Sequence, residues 1–246
     1  MRPLSTLDRR TLLKAMSLAP FAAVLPVALQ AQVARAGLIS TDVCMLQQEV
    51  TEGPFYIDPK LLRTDITEGK PGLPMQLRLQ VVTADCAPVV GARVDVWHCD
   101  AAGVYSGVQN MGAGGDTTGQ TFLRGTQMTD AAGIVTFQTV FPGWYRGRTT
   151  HVHYKVFLDA QTVLTSQIFF AEAINAEIYA EHPAYARQGQ RDMLNADDGI
   201  AADAGDGAYA RVKMTAPDGA MEAALVVGIS PEGGASGLLD WLTKKA

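Results

Sequence analysis

Two histidines and a tyrosine within nine positions have side chains suited to binding a metal ion. His151 and His153 begin the stretch His-Val-His-Tyr-Lys-Val-Phe-Leu, whose alternating apolar residues predict a β-strand. Because alternate residues of a strand share a face, the two imidazoles are expected on one face and the apolar residues on the other. Two imidazoles on one face can bind a single metal ion. A pair of surface or hydrogen-bonded histidines is the alternative.

Two imidazoles are too few for a tight metal site, and the neighbouring residues offer phenolic oxygen as a further ligand. The stretch after His153 carries no glutamate of the kind a cupin-like Fe(II) or Mn site needs, and His182 lies in a polar stretch. Tyr145 precedes the histidines, and Tyr105 follows a glycine earlier in the chain. A phenol has a pKa of about 10, so it binds only an ion charged strongly enough to displace its proton. Two phenolates with two neutral imidazoles favour Fe(III) over Fe(II) or Zn(II).

Several motifs, in this order, resemble those of the intradiol ring-cleavage dioxygenases, the family of catechol 1,2-, hydroxyquinol 1,2- and protocatechuate 3,4-dioxygenases. They span about residues 50 to 170. The motifs are Gly-Pro-Phe-Tyr at 53–56, Val-Asp-Val-Trp-His-Cys-Asp at 94–100, Gly-Val-Tyr-Ser at 103–106, Pro-Gly-Trp-Tyr at 142–145, Arg-Thr-Thr-His-Val-His at 148–153 and Ser-Gln-Ile-Phe-Phe at 166–170. The resemblance implies one non-haem Fe(III) per chain. It also implies cleavage of a catechol-type aromatic diol by O2 to a muconic-type diacid.

The resemblance also implies a role for individual residues. The four that match the metal ligands are Tyr105, Tyr145, His151 and His153, with Tyr145 and His151 axial and Tyr105 and His153 equatorial. Arg148 matches the arginine that faces the substrate ring carbon, and Gln167 matches a glutamine near that arginine. Tyr145 would leave the metal and accept a proton from the substrate, so Arg148, Tyr145 and Gln167 are the predicted catalytic residues.

The predicted substrate pocket comprises Pro54, Tyr56 and Arg148, because the resemblance places residues 53–56 beside the substrate. A tight turn with a buried aromatic residue is the alternative for that motif. The chain departs from the family in having Arg-Thr-Thr-His-Val-His where Arg-Pro-Ala-His-Ile-His is common. The connection from Tyr145 to His151 is short, and the long N-terminal helical region of catechol 1,2-dioxygenases is missing. These departures leave open the substrate and a possible homo-oligomer.

Short strands dominate the middle of the chain and predict an all-β protein. We expect strands over residues 75–81 and 90–97, a hairpin of 122–128 with 134–141, pairing of the His-x-His strand with 162–170, a helix over 171–180, and a hairpin of 208–215 with 220–229. This pattern predicts an antiparallel β-sandwich with short helical insertions and an irregular N-terminal segment. The predicted divisions are a signal peptide at 1–36, an extended segment at 37–74, the sandwich at 75–230 and a flexible tail at 231–246.

The N-terminal residues resemble an export signal. Asp-Arg-Arg-Thr-Leu-Leu-Lys at 8–14 resembles a twin-arginine motif, and Ala-Arg-Ala at 34–36 offers a cleavage site after Ala36. An uncleaved anchor is the alternative. We therefore expect a periplasmic or extracellular protein, without membrane attachment after cleavage. The 48 % hydrophobic and 18 % charged composition is that of a soluble globular protein, and the net charge of −5 disfavours nucleic-acid binding.

Other polar residues are expected to serve structure. In an oxidising compartment, one disulfide between Cys44 and Cys86 is the favoured pairing, and Cys99 is expected to pack in a strand. His98 continues an apolar strand face, so we expect it to be a hydrogen-bonded core residue. The aspartates of the stretch 181–206 do not have calcium-loop spacing and predict a solvated loop; they are Asp197, Asp198, Asp203 and Asp206.

Two other functions compete with ring cleavage. One is an exported β-sandwich binding protein whose metal site is vestigial, although the complete set of four candidate ligands argues against decay. The other is a Zn(II) hydrolase that uses His151 and His153, but this site lacks an evident third ligand and a placed general base. Catechol, hydroxyquinol, protocatechuate and larger aromatic diols all remain possible substrates.

Overall fold

The described part of the chain forms eight strands and two α-helices. The computed structural model describes residues 45–58, 60–109, 115–186, 190–215 and 220–230. The strands are β1 (Pro74–Thr83), β2 (Arg93–Trp97), β3 (Arg124–Met128), β4 (Ile134–Val140), β5 (His151–Leu158), β6 (Gln161–Phe169), β7 (Arg211–Thr215) and β8 (Ala220–Ile229); the helices are α1 (Glu172–Glu181) and α2 (Gly199–Ala204). Within the described ranges, neither helix has the length and apolar character needed to cross a bilayer.

The strands form two four-stranded sheets, which confirms the predicted β-sandwich. One sheet has the order β4-β1-β8-β7 and the other β3-β2-β5-β6. The pairs β5–β6 and β7–β8 are antiparallel, as predicted. One pair differs from the antiparallel expectation, because β1 runs parallel to β8 from Met75 to Thr83. The predicted helix over 171–180 is present as α1.

The core lies between the sheets, and β5 shows how the alternating sequence places it. Val152, Tyr154 and Val156 are fully buried in this core. Side chains of that size contribute roughly 1.5–3 kcal/mol each when removed from water. His151 and His153 point to the opposite face of the same strand, as predicted. The second sheet therefore presents its histidines away from the core.

The predicted hairpin of residues 122–128 with 134–141 is wrong. β3 pairs with β2 in one sheet, whereas β4 pairs with β1 in the other, so the connecting turn crosses between the two layers. The turn is tight: a Cβ on Gly133 would lie 2.5 Å from the Val81 carbonyl oxygen, and its φ is +75°. The predicted strand over 90–97 also starts too early, because Val90 is 63 % exposed and β2 begins at Arg93.

Several expectations concern residues outside the described ranges. The signal peptide, its cleavage site after Ala36, the tail at 231–246 and Cys44 all belong to this group. Cys86 is disulfide-bonded, as expected, although its predicted partner Cys44 lies outside the described residues. Cys99 is buried and its thiol donates to the Gly143 carbonyl at 3.3 Å. His98 is also buried, with ring nitrogens 2.8 Å from the Cys99 carbonyl and 2.7 Å from the Thr139 hydroxyl, which confirms a hydrogen-bonded core histidine.

Candidate metal centre

The candidate site lies on the face of the second sheet that points away from the core. β5 supplies both histidines, and the strand register places Trp97 of β2 and Gln167 of β6 directly opposite His153. Tyr105 follows β2 in a loop, and Tyr145 lies in the loop between β4 and β5. Two rigid imidazoles on a strand are thus joined by two phenols carried on loops.

Four donor atoms converge at this site. Nε2 of His151 lies 3.1 Å from Nε2 of His153, 3.1 Å from the Tyr145 hydroxyl and 3.3 Å from the Tyr105 hydroxyl. Ligands bound about 2.1 Å from one metal ion and about 90° apart are separated by about 3 Å. The donor set therefore fits a single ion. Among the residues that the structure describes, no three His, Cys, Asp or Glu side chains form a comparable group, so the additional donors here are phenolic.

Both histidines are neutral and held in defined orientations. Nδ1 of His151 donates to the Thr149 carbonyl at 2.7 Å, which leaves the lone pair of Nε2 directed at the site. Burial, assisted by the positive charge of Arg148, lowers the pKa of His151 to about 3. Burial also holds the pKa of His153 well below its ordinary value. Neutral imidazoles of this kind are the form that binds metals.

His153 is oriented by packing. Its ring stacks on Trp97 with the centroids 4.9 Å apart and the planes at 8°. A Cβ added to Gly53 would lie 3.3 Å from Cε1 of His153, so the N-terminal segment approaches the imidazole closely. Nδ1 of His153 is buried and has no hydrogen-bond partner in the described part of the chain. Aromatic stacking and the Gly53 contact therefore hold the His153 ring in place, whereas a hydrogen bond to Thr149 holds the His151 ring.

The two tyrosines keep their protons unless a cation displaces them. Burial raises the pKa of Tyr105 well above 10, and the neighbouring Tyr145 adds to this effect. Burial raises the pKa of Tyr145 to about 12, with Arg148 opposing the change. The Tyr105 ring is fully buried and stacks on Phe55 at 4.6 Å, whereas Tyr145 is half-buried. Tyr145 is therefore the phenol with more room to move.

Arg148 lies beside the donor cluster and is held on two sides. Its Nε donates to Asp198 at 2.9 Å, and one terminal nitrogen donates to the Gln167 side-chain oxygen at 2.6 Å. The Gln167 amide nitrogen in turn donates to the Thr51 carbonyl at 2.9 Å. The structure thus brings Arg148 and Gln167 together, and it links both to the N-terminal segment.

Asp198 contradicts the prediction of a solvated loop. It is 3 % exposed, whereas the three other aspartates of that prediction are exposed, as expected. Its carboxylate caps α2 by accepting from the backbone nitrogens of Ile200 and Ala201, and it also accepts from Thr149. Burial opposes ionisation, but the hydrogen bonds from Thr149 and Arg148 outweigh it and lower the pKa of Asp198. An aspartate before Gly-Ile-Ala-Ala is a helix-cap signal that could have identified it.

The predicted substrate-pocket residues lie in different surroundings. Pro54 is exposed. The Tyr56 hydroxyl donates to Asp95 at 2.9 Å, and its ring packs on Trp97 with the centroids 4.8 Å apart. Trp97 in turn stacks on His153. Phe55, between them in the chain, contacts both donor tyrosines. The sequence motif contains Phe55, but sequence reasoning assigned it no role.

Comparisons with known proteins place the chain among the dioxygenases. The sequence model of the family described as Dioxygenase matches residues 51–205, more than half of the chain. A chlorocatechol 1,2-dioxygenase of Pseudomonas sp. (strain P51) is 32 % identical over 115 residues, which are 39 % of this chain and 43 % of that protein. Catechol 1,2-dioxygenase 1 of Acinetobacter lwoffii is 30 % identical over 139 residues, covering 47 % of this chain and 43 % of that protein.

A solved structure matches a larger share of this chain than either of these two proteins does. The intradiol ring-cleavage dioxygenase from Tetranychus urticae is 32 % identical and superposes with a TM-score of 0.72, covering 78 % of this chain and 98 % of that one. The chain therefore belongs to the intradiol ring-cleavage dioxygenase family. It spans less than half the length of the two curated relatives above.

Proposed function

We propose that the protein is a non-haem Fe(III)-dependent intradiol dioxygenase that uses O2 to cleave the ring of a catechol-type aromatic diol to a muconic-type diacid. The observation that carries the proposal is that three donor atoms lie within 3.3 Å of His151 Nε2: the hydroxyls of Tyr105 and Tyr145 and Nε2 of His153. Membership of the intradiol family supports the same activity. The names of the curated relatives support catechols and chlorocatechols as the substrate class.

Ferric iron is the ion that this donor set suits best. Tyr105, Tyr145, His151 and His153 would hold it. Because the pKa values of both phenols are raised, a weakly charged ion would leave them protonated, whereas a trivalent ion gains two anionic oxygen ligands. Two phenolates and one hydroxide would balance a 3+ charge, which avoids an uncompensated buried charge. When bound, ferric iron would serve as Lewis acid and template for the diol.

Tyr145 is the residue we assign to proton transfer. It is half-buried, unlike the fully buried Tyr105, so it has the freedom to exchange one partner for another. Because burial raises the pKa of its phenol, a Tyr145 phenolate freed from the metal would be basic enough to take a proton from a catechol hydroxyl. The proton would then reside on the Tyr145 oxygen.

Arg148 would stabilise negative charge on the substrate ring. Its side chain is 15 % exposed and oriented by Asp198 and Gln167, so its charge is in place before the ring becomes electron-rich. A preorganised charge of this kind requires no rearrangement during the reaction. Phe55 contacts both donor tyrosines and would provide an apolar surface against which a flat ring can lie.

Export by the twin-arginine route, to the periplasm or beyond, is part of the proposal. It is supported by the sequence at residues 8–14 and by the disulfide-bonded Cys86, since structural disulfides are rare in reducing compartments. The route carries folded proteins, which suits an iron site assembled before export.

The test is oxygen consumption by ferric-reconstituted protein over a panel of diols: catechol, chlorocatechol, hydroxyquinol and protocatechuate. We expect at least one diol to consume one O2 per ring and to yield an acyclic diacid identified by mass spectrometry. Incorporation of both atoms of labelled O2 would identify a dioxygenase. Tight binding of a diol without oxygen uptake would contradict the proposal and support the non-catalytic binding protein.

A further inference from the structure

Two of the three guanidinium nitrogens of Arg148 donate to neighbouring side chains. Nε donates to Oδ2 of Asp198 at 2.9 Å, and one terminal nitrogen donates to Gln167 at 2.6 Å. Gln167 lies directly opposite His153 in the pairing of β5 with β6, so these contacts hold the guanidinium beside the donor cluster. Nε and one terminal nitrogen are therefore held by protein side chains, which leaves the other terminal nitrogen for the substrate.

Asp198 is itself fixed by the backbone. Its Oδ2 accepts from the Thr149 nitrogen at 2.9 Å, and its Oδ1 accepts from the Ile200 and Ala201 nitrogens at 2.9 and 3.2 Å. Its side chain is 2 % exposed. Because three backbone groups hold the carboxylate, it cannot follow a moving arginine; the arginine must conform to the carboxylate.

A second acid, Asp192, contacts the turn that carries Arg148 and provides a contrast. Asp192 accepts from the Gly147 nitrogen at 3.1 Å and pairs with Arg146, whose side chain is 95 % exposed. That contact organises the turn at the surface, where ion pairs contribute little. Asp198 instead contacts the arginine that faces the site, and it does so out of water.

We propose that Asp198 is a positioning residue for ring cleavage, which fixes Nε of Arg148 and thereby directs the terminal nitrogen that Gln167 does not hold toward the substrate. The inference rests on the proposed function and deepens it. The hydrogen bonds of Asp198 in the described part of the chain go to Arg148 and to backbone nitrogens, not to a candidate metal ligand. It acts through Arg148, so its contribution should vanish when Arg148 is absent.

A double-mutant cycle in the ferric-loaded full chain tests this dependence. The variants are Asp198→Asn, Asp198→Ala, Arg148→Ala and the double variants. We expect each Asp198 substitution to lower kcat by on the order of 10-fold or more, with the visible absorption and iron content unchanged. In the Arg148→Ala background, the same substitutions should change kcat less than about twofold, since the guanidinium they orient is gone.

A matched control separates positioning from loss of a cap. Asp130 also accepts from two backbone nitrogens, those of Ala132 and Ile134, and lies in the turn between β3 and β4. Asp130→Ala likewise removes a carboxylate that accepts from backbone nitrogens; it should cost about 1 kcal/mol in urea unfolding and leave kcat unchanged. If Asp198→Ala does not fold, Asp198→Asn and its double variant carry the cycle.

Added guanidinium ion gives a further readout. At millimolar concentration it should restore part of the activity of Arg148→Ala while Asp198 is present, and restore less when Asp198 is replaced. A loss from Asp198 substitution that is equally large with and without Arg148 would overturn the inference and leave Asp198 a purely structural residue. A wild-type protein that consumes no oxygen with any diol would instead defeat the proposed function, so the two failures are distinguishable.

Discussion

Replacing Arg148 removes the guanidinium group that joins Asp198 and Gln167 beside the donor cluster. Arg148→Ala eliminates the hydrogen bonds to Asp198 and Gln167 and leaves the 2 % exposed carboxylate of Asp198 without its cation. Breaking a buried ion pair by removing one partner costs about 3–5 kcal/mol. Because Asp198 keeps three backbone donors, we expect the lower end, about 3 kcal/mol, in the free energy of unfolding.

The effect on turnover should be separate and larger than any effect on iron binding. Removing one preorganised group that stabilises developing charge costs about 10²–10³ in kcat, and we expect a loss of that order for Arg148→Ala. Since Arg148 is not among the four donor residues, the iron content and visible spectrum should be retained. Arg148→Lys should also be slow, because a lysine cannot contact Asp198 and Gln167 with the same planar geometry.

The assay is steady-state oxygen uptake for kcat and KM, with urea unfolding measured on the same preparations. Arg146→Ala is the matched control, since Arg146 lies on the same turn but is 95 % exposed; its turnover and stability should equal those of wild type. Turnover within threefold of wild type in an iron-loaded Arg148→Ala variant would refute the role assigned to this residue.

Further predictions concern acid stability and the packing of His153. Burial lowers the pKa of His98 to about 4, below its ordinary 6.5, so the unfolded chain binds more protons between these values. The stability contributed by neutral His98 is therefore complete above pH 6.5 and falls by about 2 kcal/mol from pH 7 to pH 5. In urea unfolding, the free energy of unfolding of His98→Gln should fall less over this pH range than that of wild type. An equal fall would contradict the assignment. Gly53→Ala should strain a backbone with φ of +71° and bring a methyl group against His153, so iron binding should weaken several-fold in a chelator competition. Gly69→Ala is the control: its φ is +73°, nothing lies within 4 Å of its Cβ, and it should cost only about 1 kcal/mol of stability. Equal iron affinity in the two glycine variants would rule out the contact with His153.

Local sequence patterns predict the features that depend only on residues close together in the chain. The alternation in β5 placed His151 and His153 on one face because the period of two is a property of the strand itself. It did not reveal that β3 and β4 lie in different sheets, since the turn between them has the composition of an ordinary hairpin. Sheet membership is decided by pairing with β2 and β1, which are distant in sequence.

The site was predicted in part for the same reason. The resemblance to a known family predicts that Tyr105 and Tyr145 lie beside the histidines. Spacing alone does not predict this, because the two tyrosines lie on separate loops. Asp198 was missed because its partner Arg148 lies 50 positions away and the surrounding stretch is polar. Phe55 was overlooked because stacking on a phenol leaves no signal in a single sequence.

The visible spectrum of the ferric-reconstituted protein tests the central claim most directly. If Tyr105 and Tyr145 both bind Fe(III), the protein should be red-brown with about one iron per chain, and each Tyr→Phe substitution should remove part of the phenolate-to-iron charge-transfer band. Tyr154→Phe is the control, because this tyrosine lies on the core face of β5 and should leave the band unchanged. A colourless protein after reconstitution, or a band that survives both Tyr105→Phe and Tyr145→Phe, would contradict the account.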